Sequence, residues 1–207
     1  LPSGGAVKGF LKDLVVLTKL RINLVGVFTG YAAVAIWQWQ HPEAALGAGM
    51  ILLCMLGLLL IGGAANTCNQ IIEKQRDSLM ARTRDRRPLP SGRMSLTTAG
   101  VIALAQAVGG IAIFEFVFAS RVATWLGLFT IAYYALFYTW YLKPRHHMNI
   151  VIGGVPGAMG PLLAWAAVSG GISAEALVLF GIIVLWTPPH FWALAIRLKD
   201  DYAAAGI

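Results

Sequence analysis

The chain has 207 residues, of which 58% are hydrophobic and only 12% charged, with a net charge of +7 at neutral pH. A soluble domain carries about 25% charged residues, so this composition excludes a water-soluble globular protein. The positive balance needs no nucleic acid as partner, because a lipid bilayer with anionic headgroups and an anionic substrate are sufficient explanations for it.

The apolar runs are too long for outer-membrane barrel strands, which alternate over about 10 residues, and suit helices of about 20. The fold class predicted is all-α, a polytopic transmembrane helical bundle. The lead-in from Leu1 to Lys19 lacks the apolar core and small-residue cleavage site of a signal peptide. Lys8, Lys12, Lys19 and Arg21 make it a basic, interfacial approach to the first span. Six spans follow, Leu24 to Trp39, Leu46 to Ala65, Leu96 to Ala119, Val122 to Leu142, Ile150 to Val168 and Ala174 to Ile196. With the N-terminus in the cytoplasm, 15 of the 16 lysines and arginines fall on the cytoplasmic side and only Arg121 outside, as the positive-inside rule requires. Both termini are then cytoplasmic. Cys54 and Cys68 lie too far apart on one helix to bridge, and no haem-attachment motif occurs.

Beyond the second span, Asn69, Glu73 and Asp77 recur every four residues and share one helix face, with Asn66 and Gln70 flanking it. A solvated helix end with weak local ion pairs would explain the charges. The stripe begins inside the apolar boundary, however, where buried amides need partners and polar residues usually mark function. An amide and two carboxylates form an oxygen-rich site suited to a hard divalent cation.

The next segment, Arg82-Thr83-Arg84-Asp85-Arg86-Arg87-Pro88-Leu89-Pro90, is rich in guanidinium. Positive charge that fixes topology accounts for part of it. Between Lys74 and Arg93, though, arginine outnumbers lysine six to one, and arginine is the better planar partner for phosphate or carboxylate. Metal ligands beside arginines suggest Mg²⁺ holding a phosphorylated substrate.

The fourth span ends in Tyr133-Tyr134 and Tyr138-Thr139-Trp140-Tyr141-Leu142-Lys143. An interfacial aromatic belt explains Trp140 and Tyr141, while Lys143 is placed to reach back to a diphosphate. In the fifth span, Gly153, Gly154, Gly157 and Gly160 with Pro156 and Pro161 suit close helix packing. In the sixth, Trp186-Thr187-Pro188-Pro189-His190-Phe191-Trp192 predicts a broken helix. His190, Arg197 and Asp201 share a face there; a lone histidine is more often a satisfied core residue, but its place beside the break favours a site. All these polar sets lie on one side, and the opposite turns are plain, so function is expected on the cytoplasmic side.

Several segments together resemble the UbiA superfamily of intramembrane prenyltransferases. They are Thr18 to Asn23, Asn66 to Asp77, Met80 to Thr83, Arg87-Pro88-Leu89-Pro90, Asn149 to Gly154, Trp186 to Trp192 and Asp201-Tyr202-Ala203. Glu73, where many members have Asp, and His190, near the first acid of their second aspartate motif, point to the haem-farnesylating branch. The resemblance implies a transferase that moves the farnesyl group of farnesyl diphosphate onto a vinyl group of haem b, with water added, giving haem O. It implies Mg²⁺ on Asn69, Glu73, Asp77 and Asp201, with haem b as substrate rather than cofactor. Lys143 and His190 join the catalytic set, and Lys19, Arg21, Asn66, Arg82, Arg86, Arg87, Tyr138, Arg197 and Asp201 bind substrate. Haem propionates would dock on Arg82, Arg84, Arg86 or Arg87. Residues 1–207 would form a single transmembrane prenyltransferase domain, C-terminally truncated and lacking the last three of about nine helices. Its place would be the bacterial cytoplasmic (inner) membrane, with haem A synthase or oxidase assembly proteins as protein partners.

Two other readings compete. One is a prenyltransferase of the same fold acting on a quinone or chlorophyll precursor. The other is a haem- or ion-binding transporter, which broken helices would suit, although polar groups confined to one side argue against alternating access.

Overall fold

The computed structural model describes residues 4–146 and 148–197. Among them, six helices are long and apolar enough to cross a membrane. A first helix, α1 (Gly4–Leu17), precedes them and exposes Val7, Phe10, Leu11 and Val15. The spans begin with α2 (Leu20–Gln40) and α3 (Ala48–Leu79), followed by a single helical turn, α4 (Ala81–Arg84). The third span joins α5 (Leu96–Ala112) to a π-helical end, Ile113–Val117. The fourth joins α6 (Arg121–Ala132) to a longer π-helical stretch, Tyr133–Leu142. The fifth is divided into α7 (Asn149–Gly157) and α8 (Met159–Ser169), and α9 (Ala174–Arg197) is the sixth.

The spans match the hydropathy reading closely, except that the second apolar run continues as helix for 14 residues past Ala65. At 1.5 Å per residue α3 is about 48 Å long, well beyond the ~30 Å hydrocarbon layer. Its last turns therefore carry the polar stripe out of the apolar slab. The helix stops where Met80 turns extended, and the Thr83 hydroxyl donates 2.8 Å to the Asp77 carbonyl, satisfying one of the orphaned C-terminal acceptors. Ser95 and Ser120 cap the starts of α5 and α6 through the amides of Thr98 and Ala123.

Two apolar clusters sit at different depths. The larger packs Val34, Trp37, Leu58, Ile61, Phe114 and Trp165. A smaller one, Leu17, Leu89, Met94 and Ala99, pins the segment after α4 against the end of α1. Outward faces remain apolar, with Leu52, Phe116 and Leu185 exposed, as a multi-pass membrane protein surrounded by lipid requires.

Small residues bring α2 and α8 into backbone contact. A Cβ added at Gly160 would stand 2.5 Å from the Gly26 carbonyl oxygen. The helix break, expected in the sixth span, falls in the fifth instead. There Pro161 has no N–H to offer the Gly157 carbonyl, and the chain departs from helix at Ala158. By contrast, α9 runs unbroken through Pro188 and Pro189. The Thr187 hydroxyl bonds the Ile183 carbonyl at 2.7 Å in the turn before them, and the fixed proline φ is itself helical.

Gly160→Ala should lower thermal stability by about 1–3 kcal/mol, because the obstacle is backbone and cannot rotate away. Gly100→Ala, where a Cβ meets nothing within 4 Å, is the control and should be neutral or slightly stabilising. Thermal denaturation of both variants in detergent checks the difference.

Candidate functional site

The α3 stripe is buried: Asn69, Gln70, Glu73 and Asp77 are 1%, 1%, 4% and 1% exposed. Carboxylates are almost never so buried unless paired. Here the partners come from three separate parts of the chain.

Lys19 lies between α1 and α2 and adopts left-handed backbone (φ 49, ψ 47), rare for a residue with a Cβ and costing roughly 1–2 kcal/mol. Its ammonium donates to Asn69 Oδ1 at 2.8 Å and to Tyr134 Oη at 3.3 Å. Burial, reinforced by the positive charge of Arg87, pulls its pKa down to about 8. Arg87, in the loop after α4, bridges both carboxylates, Glu73 Oε2 at 3.4 Å and Asp77 Oδ2 more closely. Lys143 donates to Glu73 Oε1. Three cations thus face two carboxylates, and the cluster keeps one net positive charge.

The π-helical end of the fourth span sets the register of the last contacts. The Lys143 amide bonds the Tyr138 carbonyl five residues back, at 2.8 Å. This wide turn brings the Thr139 hydroxyl 3.0 Å from Asn69 Nδ2, from which it accepts, while it donates 2.7 Å to the Tyr134 carbonyl. Behind the stripe, Gln70 Nε2 donates to the carbonyls of Val16 (2.7 Å) and Leu17 (2.9 Å), tying α3 to the end of α1.

Beside this cluster lies a cavity of about 1000 Å³ with mainly apolar walls, formed by α2, α3, the Tyr133–Leu142 stretch and the fifth and sixth spans. Lys19 and Tyr134 belong to both the wall and the cluster. The cavity therefore has a charged end and an apolar body.

The structure brings together six of the residues singled out from sequence: Lys19, Asn69, Glu73, Asp77, Arg87 and Lys143. Arg21, Asn66, Tyr138 and His190 line the cavity, His190 stacked on Trp186 with centroids 4.2 Å apart. Arg82 and Arg86 are exposed on the loop around the cluster. Arg197 ends α9 but its side chain, like the whole of Asp201, lies outside the described residues. Sequence reasoning missed Thr139 and Tyr134 as members of the cluster and Gln70 as a brace. A lone hydroxyl and a tyrosine in an aromatic run carry no signal until the π-helical register is known.

The donor set fits a hard divalent ion. Asn69 Oδ1 and four carboxylate oxygens share a face, and Mg²⁺ is commonly held by one or two carboxylates together with substrate phosphates. Such an ion would share those oxygens with Lys143 and Arg87. Among the described residues no group of three His, Cys, Asp or Glu side chains is placed to hold a metal without the amide or a substrate.

A model of the UbiA prenyltransferase family matches residues 25–207. Proteins named protoheme IX farnesyltransferase from Azotobacter vinelandii and Azoarcus sp. are each 45% identical, over 95% and 93% of this chain and 61% and 62% of their own. One of the same name from Gloeobacter violaceus is 42% identical over 95% of this chain and 63% of its own. The chain thus spans just over three fifths of the length of these relatives. A solved structure from work on digeranylgeranylglyceryl phosphate synthase superposes with a TM-score of 0.69 at 18% identity, covering 96% of this chain and 66% of that one. That likeness shows a shared fold.

Arg87→Gln should lower stability by about 3 kcal/mol, since it strands the buried carboxylate of Asp77. The double variant Arg87→Gln/Asp77→Asn should recover much of the loss, because an uncharged pair needs no counter-ion. A double-mutant cycle on denaturation midpoints measures the coupling.

Proposed function

The chain belongs to the UbiA prenyltransferase family, and from that premise we propose that the protein transfers the farnesyl group of farnesyl diphosphate to a vinyl group of haem b, with addition of water, to give haem O. One observation carries the reading. Three cations from three chain segments converge on a buried amide-carboxylate face at the charged end of an apolar cavity. A prenyl diphosphate has the same two-part chemistry, a polyanionic head on a long apolar tail.

Members of the family generally use a divalent metal for diphosphate binding. The finer assignment is Mg²⁺, with Asn69, Glu73 and Asp77 to hold it. When bound, it supplies neutralisation of the departing diphosphate.

The chain's own residues do the rest. Lys19, Arg87 and Lys143 neutralise phosphate oxygens, preorganised by their contacts to the α3 face. As the C1–O bond breaks, its electron pair leaves with the diphosphate. The allylic cation lies in an apolar cavity whose wall includes Tyr134, Tyr138 and Trp186, whose ring faces stabilise positive charge. The vinyl group supplies the electron pair for the new C–C bond, water adds to the cation that results, and a proton is released. Exclusion of bulk water by the apolar walls protects the allylic cation until the vinyl group reacts. The exposed Arg82, Arg84 and Arg86 suit the haem propionates, with His190 on the cavity wall orienting the macrocycle. In this reading the cluster lies on the cytoplasmic side of a bacterial inner membrane, and the skewed distribution of lysine and arginine supports that orientation.

Glu73→Gln and Asp77→Asn should each cut prenyl transfer at least roughly a hundredfold at saturating substrate and low Mg²⁺. Lys143→Met should raise the KM for farnesyl diphosphate more than it weakens haem binding. Arg121→Gln, at the opposite end and paired with Glu115 at 3.8 Å, should leave turnover near normal. Near-normal turnover in both carboxylate variants would remove the metal role.

Lys19 gives a pH signature. Its free-state value of about 8 leaves it largely neutral above that pH, whereas a bound polyanion favours the charged form and raises the value. Pyrophosphate, itself partly protonated in this range, changes its own proton content on binding. The Lys19 contribution is therefore the wild-type value minus that of Lys19→Met: an extra uptake just above pH 8, and none below about pH 7, where Lys19 is charged in both states. Calorimetry in buffers of different ionisation heat reads the uptake in both proteins.

A further inference from the structure

We propose that Arg93 and Asp13, outside the cluster itself, form a clasp that positions Arg87. This deepens the reading of the cluster as a diphosphate site and rests on it. The Arg93 guanidinium uses all of its forked nitrogens at once. Nε donates to both Asp13 carboxylate oxygens, at 3.0 and 3.2 Å, Nη1 to the Asp85 carbonyl at 2.9 Å, and Nη2 to the Arg86 carbonyl at 3.0 Å. It thus fixes the two peptide units immediately before Arg87 and ties them to α1. Lysine, with a compact ammonium on a flexible stem, cannot reproduce that planar fork.

Exposed ion pairs contribute little to stability, and Arg93 is 42% exposed, so the pair itself is a poor stabilising device. Its geometry is better suited to orientation. The segment has independent anchors on its far side: Leu89 and Met94 are buried against Leu17, and the Met94 amide bonds the Pro88 carbonyl at 3.1 Å. Those anchors hold the segment in place without Arg93. What Arg93 adds is the direction of the backbone at 85 and 86, and hence the aim of the Arg87 side chain at Glu73 and Asp77. One turn beyond Asp13, the last residues of α1 are set in the same way, by Gln70 on the Val16 and Leu17 carbonyls, next to Lys19. One surface helix therefore aligns two of the three cations.

Full-length protein in detergent provides the test. Arg93→Gln and Asp13→Asn should raise the Kd for Mg²⁺-pyrophosphate and the KM for farnesyl diphosphate roughly tenfold. The melting temperature should stay within about 2 °C. Arg93→Lys should be intermediate, and the swap Asp13→Arg/Arg93→Asp, which restores an ion pair but not the two carbonyl bonds, should stay impaired. Amide exchange reads the clasp without any ligand: the Arg87 and Ser91 amides, bonded to Thr83 and Arg87 carbonyls, should exchange faster in Arg93→Gln. A fall in melting temperature with unchanged Kd and KM would overturn the positioning role, as would unchanged exchange. If wild-type protein bound no pyrophosphate, the diphosphate reading would fall, and with it the clasp's role toward substrate. Faster exchange would then still support the clasp as an orienting device for Arg87.

Discussion

The burial of Glu73 and Asp77 on the last turns of α3 constrains most of what surrounds them. Taking a carboxylate out of water costs several kcal/mol, and the attraction of a counter-ion offsets this only when the geometry is good and the remaining lone pairs are bonded. Two such groups one helical turn apart also repel each other. The chain answers with cations from positions 19, 87 and 143, and each is delivered by an unusual backbone: a left-handed residue, a proline-bounded arginine loop and a π-helical end. None of these local conformations is favoured on its own. Their common cause is the need to place a charge against the same helix face.

Hydropathy made the bundle legible because membrane spans must satisfy their backbone internally and bury it in lipid or protein, which leaves long apolar runs. It understated α3 because a helix that leaves the apolar layer loses its hydropathy signal while keeping its hydrogen bonds. The four-residue spacing of Asn69, Glu73 and Asp77 was readable for the same reason, since helical periodicity survives the change of surroundings. The proline effects were harder to read. A missing N–H is a local fact, but whether the helix breaks depends on neighbouring turns. Gly157 and Pro161 combine to release the chain at Ala158, whereas α9 absorbs two prolines within one helix. The partners of the stripe were partly legible: Lys143 and Arg87 announced themselves by charge, while Thr139 and Tyr134 depend on a π-helical register that no spacing in the sequence reveals.

The glycines divide by the same logic. Gly160 is required by the approach of the Gly26 carbonyl, and that contact lets α2 and α8 wall the cavity together. Packing and function are continuous here, because the close helix pair that stabilises the bundle also shapes the apolar body beside the charged end. The sequence reading assigned Gly153, Gly154, Gly157 and Gly160 to packing; Gly153, Gly154 and Gly160 serve it, against Tyr138, Thr187 and the Gly26 carbonyl, whereas a Cβ at Gly157 would meet nothing within 4 Å. All four line the cavity in which, under the proposed function, an isoprenoid tail would lie.

The excess positive charge of the cluster decides the direction in which it can act. With equal numbers of cations and carboxylates the face would be neutral and closed. With a third cation it retains an unmatched positive charge to offer an anion. The three are not equivalent. Arg87 is 18% exposed, touches both carboxylates and is followed by the buried Pro88 and Leu89, so it is held in place. Lys143 is 41% exposed, pairs among the described residues with Glu73 and not Asp77, and sits at the end of its helix on a flexible stem. Under the proposed function, an incoming diphosphate would meet, besides Lys19, one fixed and one movable cation. The fixed one would keep the carboxylates from repelling each other while the movable one turned from Glu73 to the phosphate, leaving a Glu73 oxygen as a donor for a divalent ion. Anion binding and divalent-ion binding would then be coupled through a single lysine.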